Sequence, residues 1–323
     1  MKCRWEHVAL VGLLVAAACT LGVRPERGAQ LLQAVRIAAT VDRAEQVAPV
    51  DGARSAALWM RARTMRRDKP DFQGLVLARL IELGDAGGDA ARVRDEVLRD
   101  LPAQPAFHAG EPPLMAAYGR YLLARGYTKE AVAALEDGLR RAPAVDGDGV
   151  DLRLCLAEGY ERLNQPDKAQ QLLEALHEAQ PDEPTLTCAL ARHWADHHNR
   201  LPEAVRLAGG ALAGVRRRAL LHPGDAALRV TRAVCLDALG WAQYRLPERD
   251  PALLNLREAQ RLFDKSPSAL NLYHLAEADY DRGQDVDAQR LVEQALRLDP
   301  WLEAAKQLQE RLQDAPHRGK EIS

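Results

Sequence analysis

The chain has 323 residues, 47% of them hydrophobic and only 5% aromatic, with a formal net charge of −2 and a pI near 6.5. Such a balance allows a sizeable core built from Ala and Leu, favours close-packed helices over sheet, and excludes the global basic field that would draw the chain to nucleic acid. The five cysteines are Cys3, Cys19, Cys155, Cys188 and Cys235; none forms a C-x-x-C pair, which excludes a zinc knuckle or a dithiol motif. The last three lie in apolar helical runs and read as small buried hydrophobes, with a disulfide among them left open.

The chain begins with a basic Met1–His7, which holds Lys2 and Arg4, followed by the uncharged apolar run Val8–Val23 and then Arg24. Residues 1–23 have the layout of an export signal or membrane anchor, although the apolar run is shorter than a span of about 20 residues. Three outcomes stay open. The segment is an uncleaved anchor with Trp5 at the interface, a lipoprotein signal with Cys19 lipidated, or a signal cleaved after Ala18. The lipoprotein reading departs from the usual pattern at Ala16, where Leu is preferred. Each outcome puts the rest of the chain outside the cytoplasm, so the expected location is the cell envelope, membrane-anchored and facing the periplasm.

Helical spacing starts at Arg24, with Leu31, Leu32, Val35, Ile37 and Ala38 on three- and four-residue steps. A turn at Pro49–Gly52 leads to a second helix over 53–67, which Lys69-Pro70-Asp71 stops. A hairpin of 72–83 and 90–98 follows; Arg92, Arg94, Asp95, Glu96 and Arg99 leave its return helix a narrow apolar face. Pro102, Pro105, Pro112 and Pro113 then break the chain and mark the best domain boundary, so 24–110 forms a helical N-terminal region and 111–300 a repeat array. Within 111–300, helices alternate with turns at Arg125-Gly126-Tyr127, Gln165-Pro166-Asp167, His222–Asp225 and Gly283. Residues 301–314 form a closing amphipathic helix and 315–323 a polar tail.

One alanine opens the return helix of each hairpin: Ala90, Ala131, Ala169, Ala204, Ala252 and Ala288. Their intervals fit a unit of about 34 residues with loop insertions. In Ser266–Pro300, Leu275-Ala276, Gly283, Ala288, Ala295 and Pro300 occupy the positions of a large–small pair, a turn, a helix start and a stop. Similar sets are Tyr118-Gly119 with Gly126, Ala131 and Pro143; Leu156-Ala157 with Ala169 and Pro181; and Leu239-Gly240 with Ala252 and Ala259. These residues resemble the tetratricopeptide repeat family, in its bacterial, N-terminally anchored or exported type. The resemblance implies an all-α fold: a right-handed α-solenoid of stacked helix-turn-helix repeats with a C-terminal capping helix, whose first helices line a concave, peptide-binding face.

Projecting the family's groove-facing positions onto this chain selects Arg120, Glu158, Glu161, Arg162, His193, Asp196, His197, Asp237, Trp241, Tyr244, Arg245, Tyr273, Glu277, Tyr280 and Asp281. Aromatic residues beside Arg are typical anchors of binding surfaces, and the other reading is that Trp241, Tyr244 and Tyr273 pack between repeats. His193 and His197 share a helix face at a spacing that reaches one ion, but Trp194 stands where a metalloprotease carries its general base. Asp146-Gly147-Asp148-Gly149 lacks the later ligands of a calcium loop and reads as a polar turn. Arg216–Arg218 reads as a solvated face. No G-x-S-x-G, P-loop or dinucleotide fingerprint occurs.

The expected function is therefore a non-enzymatic scaffold with no catalytic residue, cofactor or metal. Its partner is a peptide or helix of an envelope complex concerned with polysaccharide export, a pilus or the outer membrane, with the membrane engaged through the N-terminal segment. The run Asp237–Leu246 is similar to repeats in bacterial proteins linked to exopolysaccharide and protein sorting. The alternatives are a metal-binding protein or enzyme using His193 and His197, and a cytoplasmic adaptor.

Overall fold

A computed structural model describes residues 25–141, 149–247, 250–263 and 266–314. The N-terminal 1–23 segment with Cys19, the Asp146–Gly149 turn up to Asp148, and the polar tail lie outside the described residues. Sixteen α-helices account for the fold, and no strand occurs among the described residues. In chain order these are α1 (Pro25–Val47), α2 (Gly52–Met65), α3 (Pro70–Leu83), α4 (Gly88–Asp100), α5 (Pro105–Ala109), α6 (Pro112–Ala124), α7 (Thr128–Arg141) and α8 (Val150–Arg162). They continue with α9 (Pro166–Ala179), α10 (Pro184–Asp196), α11 (Leu201–Leu221), α12 (Ala226–Tyr244), α13 (Asp250–Leu262), α14 (Ala269–Asp281), α15 (Asp285–Leu298) and α16 (Glu303–Asp314). The architecture is an all-α solenoid of helical hairpins.

Local chemistry sets the helix boundaries. Proline stands in the first turn of α3, α5, α9, α10 and α11, where its missing N–H costs nothing. Side chains of Asp51, Glu183, Asp225 and Ser268 accept backbone N–H groups that open α2, α10, α12 and α14. Gly283 turns the α14–α15 hairpin at φ +74°, a left-handed conformation that a side chain would strain.

The chain divides into two compact units: Met1–Tyr121 with Ala133–Leu152, and Leu122–Val132 with Arg153–Ser323. The first unit buries an apolar cluster around Trp59 that includes Ala44, Ala56, Val76, Leu77 and Ile81. Arg94, expected on the polar face of α4, is buried instead. Its guanidinium donates to Asp85 (3.3 Å) and Asp95 (3.1 Å) and lies 5.4 Å from the Tyr121 ring centroid.

In the second unit successive helices pack antiparallel, while α10, α12, α14 and α16 also touch their next-but-one neighbours along one layer. The six register alanines are all 0% or 1% exposed, which places every return helix as its spacing predicted. Gly240 lets the backbone of its return helix approach closely: a Cβ there would stand 2.9 Å from the Ala252 carbonyl oxygen. Cys188 and Cys235 are buried with their sulfurs 3.0 Å apart, and their mutual hydrogen bond together with burial pushes the Cys188 thiol far up.

A candidate binding row on the first helices

Every selected residue except Arg120 lies in the second unit. Arg120 belongs to the first, where its guanidinium pairs with Glu82 at 2.5 Å. The other positions recur one hairpin apart, so stacking brings them side by side along α8, α10, α12 and α14.

At the α8 end, Arg162 donates to Glu158 (2.7 Å), to Asp299 (2.7 Å) and to the Leu123 carbonyl (3.2 Å). Asp299 follows α15, so the end of the last hairpin meets the first helix of this unit. The Trp301 ring completes the contact by occupying the space beside Gly126, which turns at φ +79°. Residues around 301 were expected only to cap the array; here they also clasp α8 and the turn before α7.

Glu161 comes next. Its carboxylate meets the Nδ1 of His193 at Oε1 and the Nε2 of His197 at Oε2, the latter at 2.9 Å, and the two rings lie 4.7 Å apart. Burial pushes the Glu161 carboxyl up, but the hydrogen bonds from His193 and His197 outweigh it and hold the group below the ordinary carboxylate range.

Beyond it, the Trp241 indole N–H donates to Asp196 at 2.7 Å. Its ring stacks on Tyr244 and on His274, with centroids 5.3 and 4.0 Å away, and the Arg245 guanidinium covers it at 4.1 Å. Such stacking and cation–π geometry rigidifies an aromatic cluster. The Tyr244 hydroxyl donates to Asp281 at 2.5 Å. Asp237 accepts from Asn271 Nδ2 (2.7 Å) and His274 Nδ1 (3.1 Å), all three groups being buried. Arg311 of α16 donates to Glu277 at 2.5 Å, a bond that raises the guanidinium's proton affinity, and burial together with Glu277 pushes the Tyr273 hydroxyl up.

These contacts correct one expectation. Trp241 is 0% exposed, and Tyr244, Tyr273, Glu277, Tyr280, Asp237 and His193 are also buried. They form the floor of the row and pack between repeats, the second of the two roles their spacing allowed. Glu158, Asp196, His197 and Asp281 remain exposed at its rim, while Glu161, Arg162 and Arg245 are half-buried. Spacing alone missed Asn271, His274 and Arg311. The signal that could have found them is polarity on α14, where Asn271–Tyr280 is buried on every face yet holds six polar side chains.

The profile of the tetratricopeptide repeat matches residues 150–193, the stretch from α8 into α10. No curated protein sequence matches the chain. Among solved structures, a Rap protein complexed with competence and sporulation factor is similar over 86% of this chain and 87% of its own, at 12% identity and a TM-score of 0.57. A tetratricopeptide repeat protein from Parabacteroides merdae aligns over 86% of this chain and 98% of its own, with 14% identity and a TM-score of 0.49. The APC/C Cut9–Hcn1 hetero-tetramer aligns over 81% of this chain but 52% of that one, with 16% identity and a TM-score of 0.48; the chain thus spans about half of that relative's length. The chain thus carries a tetratricopeptide repeat match over residues 150–193 and shares a helical-repeat fold with the Rap structure.

Proposed function

We propose that the protein is a non-enzymatic interaction scaffold that receives a partner peptide or helix along the first-helix row of its second unit. The observation that carries this reading is the continuity of the row. Three first helices, α8, α10 and α14, present Glu158, Asp196, His197 and Asp281 as an exposed rim along a floor of Trp241, Tyr244 and Tyr273 from α12 and α14 fixed by mutual contacts. A rigid aromatic floor with a polar rim is the anatomy of a pre-organised binding surface. The related Rap fold, seen with competence and sporulation factor, supports the use of such a solenoid for ligand capture.

The cell envelope is the place of action in this reading, with residues 1–23 as signal or anchor and an envelope assembly system, such as polysaccharide export, pilus or outer-membrane machinery, as the client. No helix among the described residues is long and apolar enough to cross a membrane, so membrane attachment rests on the N-terminal segment. Fractionation of cells expressing the full chain is expected to place it in the membrane fraction, and recovery of the full-length chain in the cytosol would contradict the location. Charge reversal at the rim, Asp281→Lys with Glu158→Lys, is expected to lower partner recovery after cross-linking in membranes. Undiminished recovery would contradict the binding surface.

A further inference from the structure

We propose that Glu161, His193 and His197 form a binding site for one divalent metal ion of zinc type. The site goes beyond the scaffold reading and replaces the metal-free expectation drawn from the sequence.

Three donor atoms, one from each residue, all lie within 4.8 Å of one another. Around a zinc ion bound at about 2.0–2.2 Å to nitrogen and oxygen, ligand atoms stand roughly 3.3–3.6 Å apart. The Glu161 oxygens now meet both imidazoles at hydrogen-bond distance, closer than that, so an ion entering among them parts the carboxylate from the rings. Two imidazoles and one carboxylate are a common zinc donor set that leaves a fourth position open.

The placement favours a cation in two further ways. Glu161 is the penultimate residue of α8, and His193 and His197 belong to the last turn and cap of α10. Two helix C-termini, each carrying partial negative charge, therefore converge on the same point. Both hydrogen-bond partners of the Glu161 carboxylate among the described residues are imidazoles; a divalent ion takes the place of their shared protons, whereas an Arg partner would compete with it. His193 is 3% exposed and holds the inner position, while His197 is 34% exposed and Glu161 31% exposed at the side-chain level, which leaves an entry path from the rim.

The test is titration of the full-length, tag-free protein in detergent, stripped with a chelator, with zinc chloride in a calorimeter. The expected result is saturation at one ion per chain. Glu161→Gln and His197→Ala are each expected to weaken binding by about tenfold or more with the helical circular dichroism unchanged, and His198→Ala, next in sequence but outside the set, to leave it intact. Cobalt substituted for zinc is expected to show the visible absorption of a low-coordinate nitrogen–oxygen site, lost in the same two variants. Absence of saturable zinc binding would overturn the proposal. So would an affinity that survives both Glu161→Gln and His197→Ala, because the ion would then sit elsewhere.

Discussion

Around Trp59 the first unit buries Ala44, Ala56, Val76, Leu77 and Ile81, whereas around Trp241 the second unit buries Asp237, Asn271, His274 and Glu277. Both units use the same hairpin, but they fill it differently. Apart from the buried Ser55 and Arg94, the first holds its helices together with undirected apolar burial, which tolerates exchange of side chains of equal volume. The second fixes the angle and depth of each ring through directed hydrogen bonds, which a binding floor requires and simple stability does not. A buried polar network of that kind is sensitive to the loss of any one member. On the proposed reading, the second unit keeps this network for the surface it positions.

The comparison can be broken by mutation, beginning with the largest effect. Trp241→Ala removes a fully buried indole and leaves Asp196 without its donor; we expect a loss of about 3–5 kcal/mol in urea unfolding, rather than a folded protein with a weaker anchor. Wild-type stability in that variant would refute the burial. Asp237→Ala strips the acceptor from Asn271 and His274 and is expected to cost about 1–3 kcal/mol, whereas Leu77→Met in the first unit should cost less than about 1.5 kcal/mol. Equal costs would erase the distinction between the two cores. Gly240→Ala drives a methyl toward the Ala252 carbonyl and is expected to destabilise by about 1–3 kcal/mol, read as a lowered melting temperature.

The smallest effect is a gain. Burial raises the Asp279 carboxyl above its ordinary value, with Asp287 adding to the shift and Arg257, 3.7 Å away, Arg282 and Arg290 opposing it. A raised acid favours the folded state when protonated, so its contribution is fully present below the ordinary Asp value and is lost as pH rises through the folded value. Asp279→Asn is therefore expected to raise the melting temperature near neutral pH and to leave it unchanged in acid below the ordinary Asp range. A gain that is the same at both pH values would rule out this origin.

The sequence made much of this legible for a simple reason. Small residues at fixed spacing are dictated by the approach of two helices, so Ala90, Ala131, Ala169, Ala204, Ala252 and Ala288 mark the return helices in the sequence itself. The resemblance to the repeat family placed Glu161, His193 and His197 in adjacent positions of the row. It did not reveal that they meet, because that depends on how far one hairpin rotates on the next. Depth was harder to read than position: a Trp one turn from a groove slot and a Trp under it have the same spacing, and Arg94 looked solvated until Asp85 and Tyr121 enclosed it. The clasp between Arg162 and Asp299, 137 residues apart, was illegible because it depends on the summed rotation of every hairpin between them.

The central claim is that the exposed rim of the first-helix row is the surface that meets the partner. A photo-cross-linking amino acid placed at His197 or Asp281, with controls at the exposed Leu254 and Val286 on the return helices, tests it in intact membranes. We predict partner cross-links from the two rim positions and none from the two controls. Cross-links from Leu254 and Val286 with none from the rim would contradict the account and move the binding surface to the return helices.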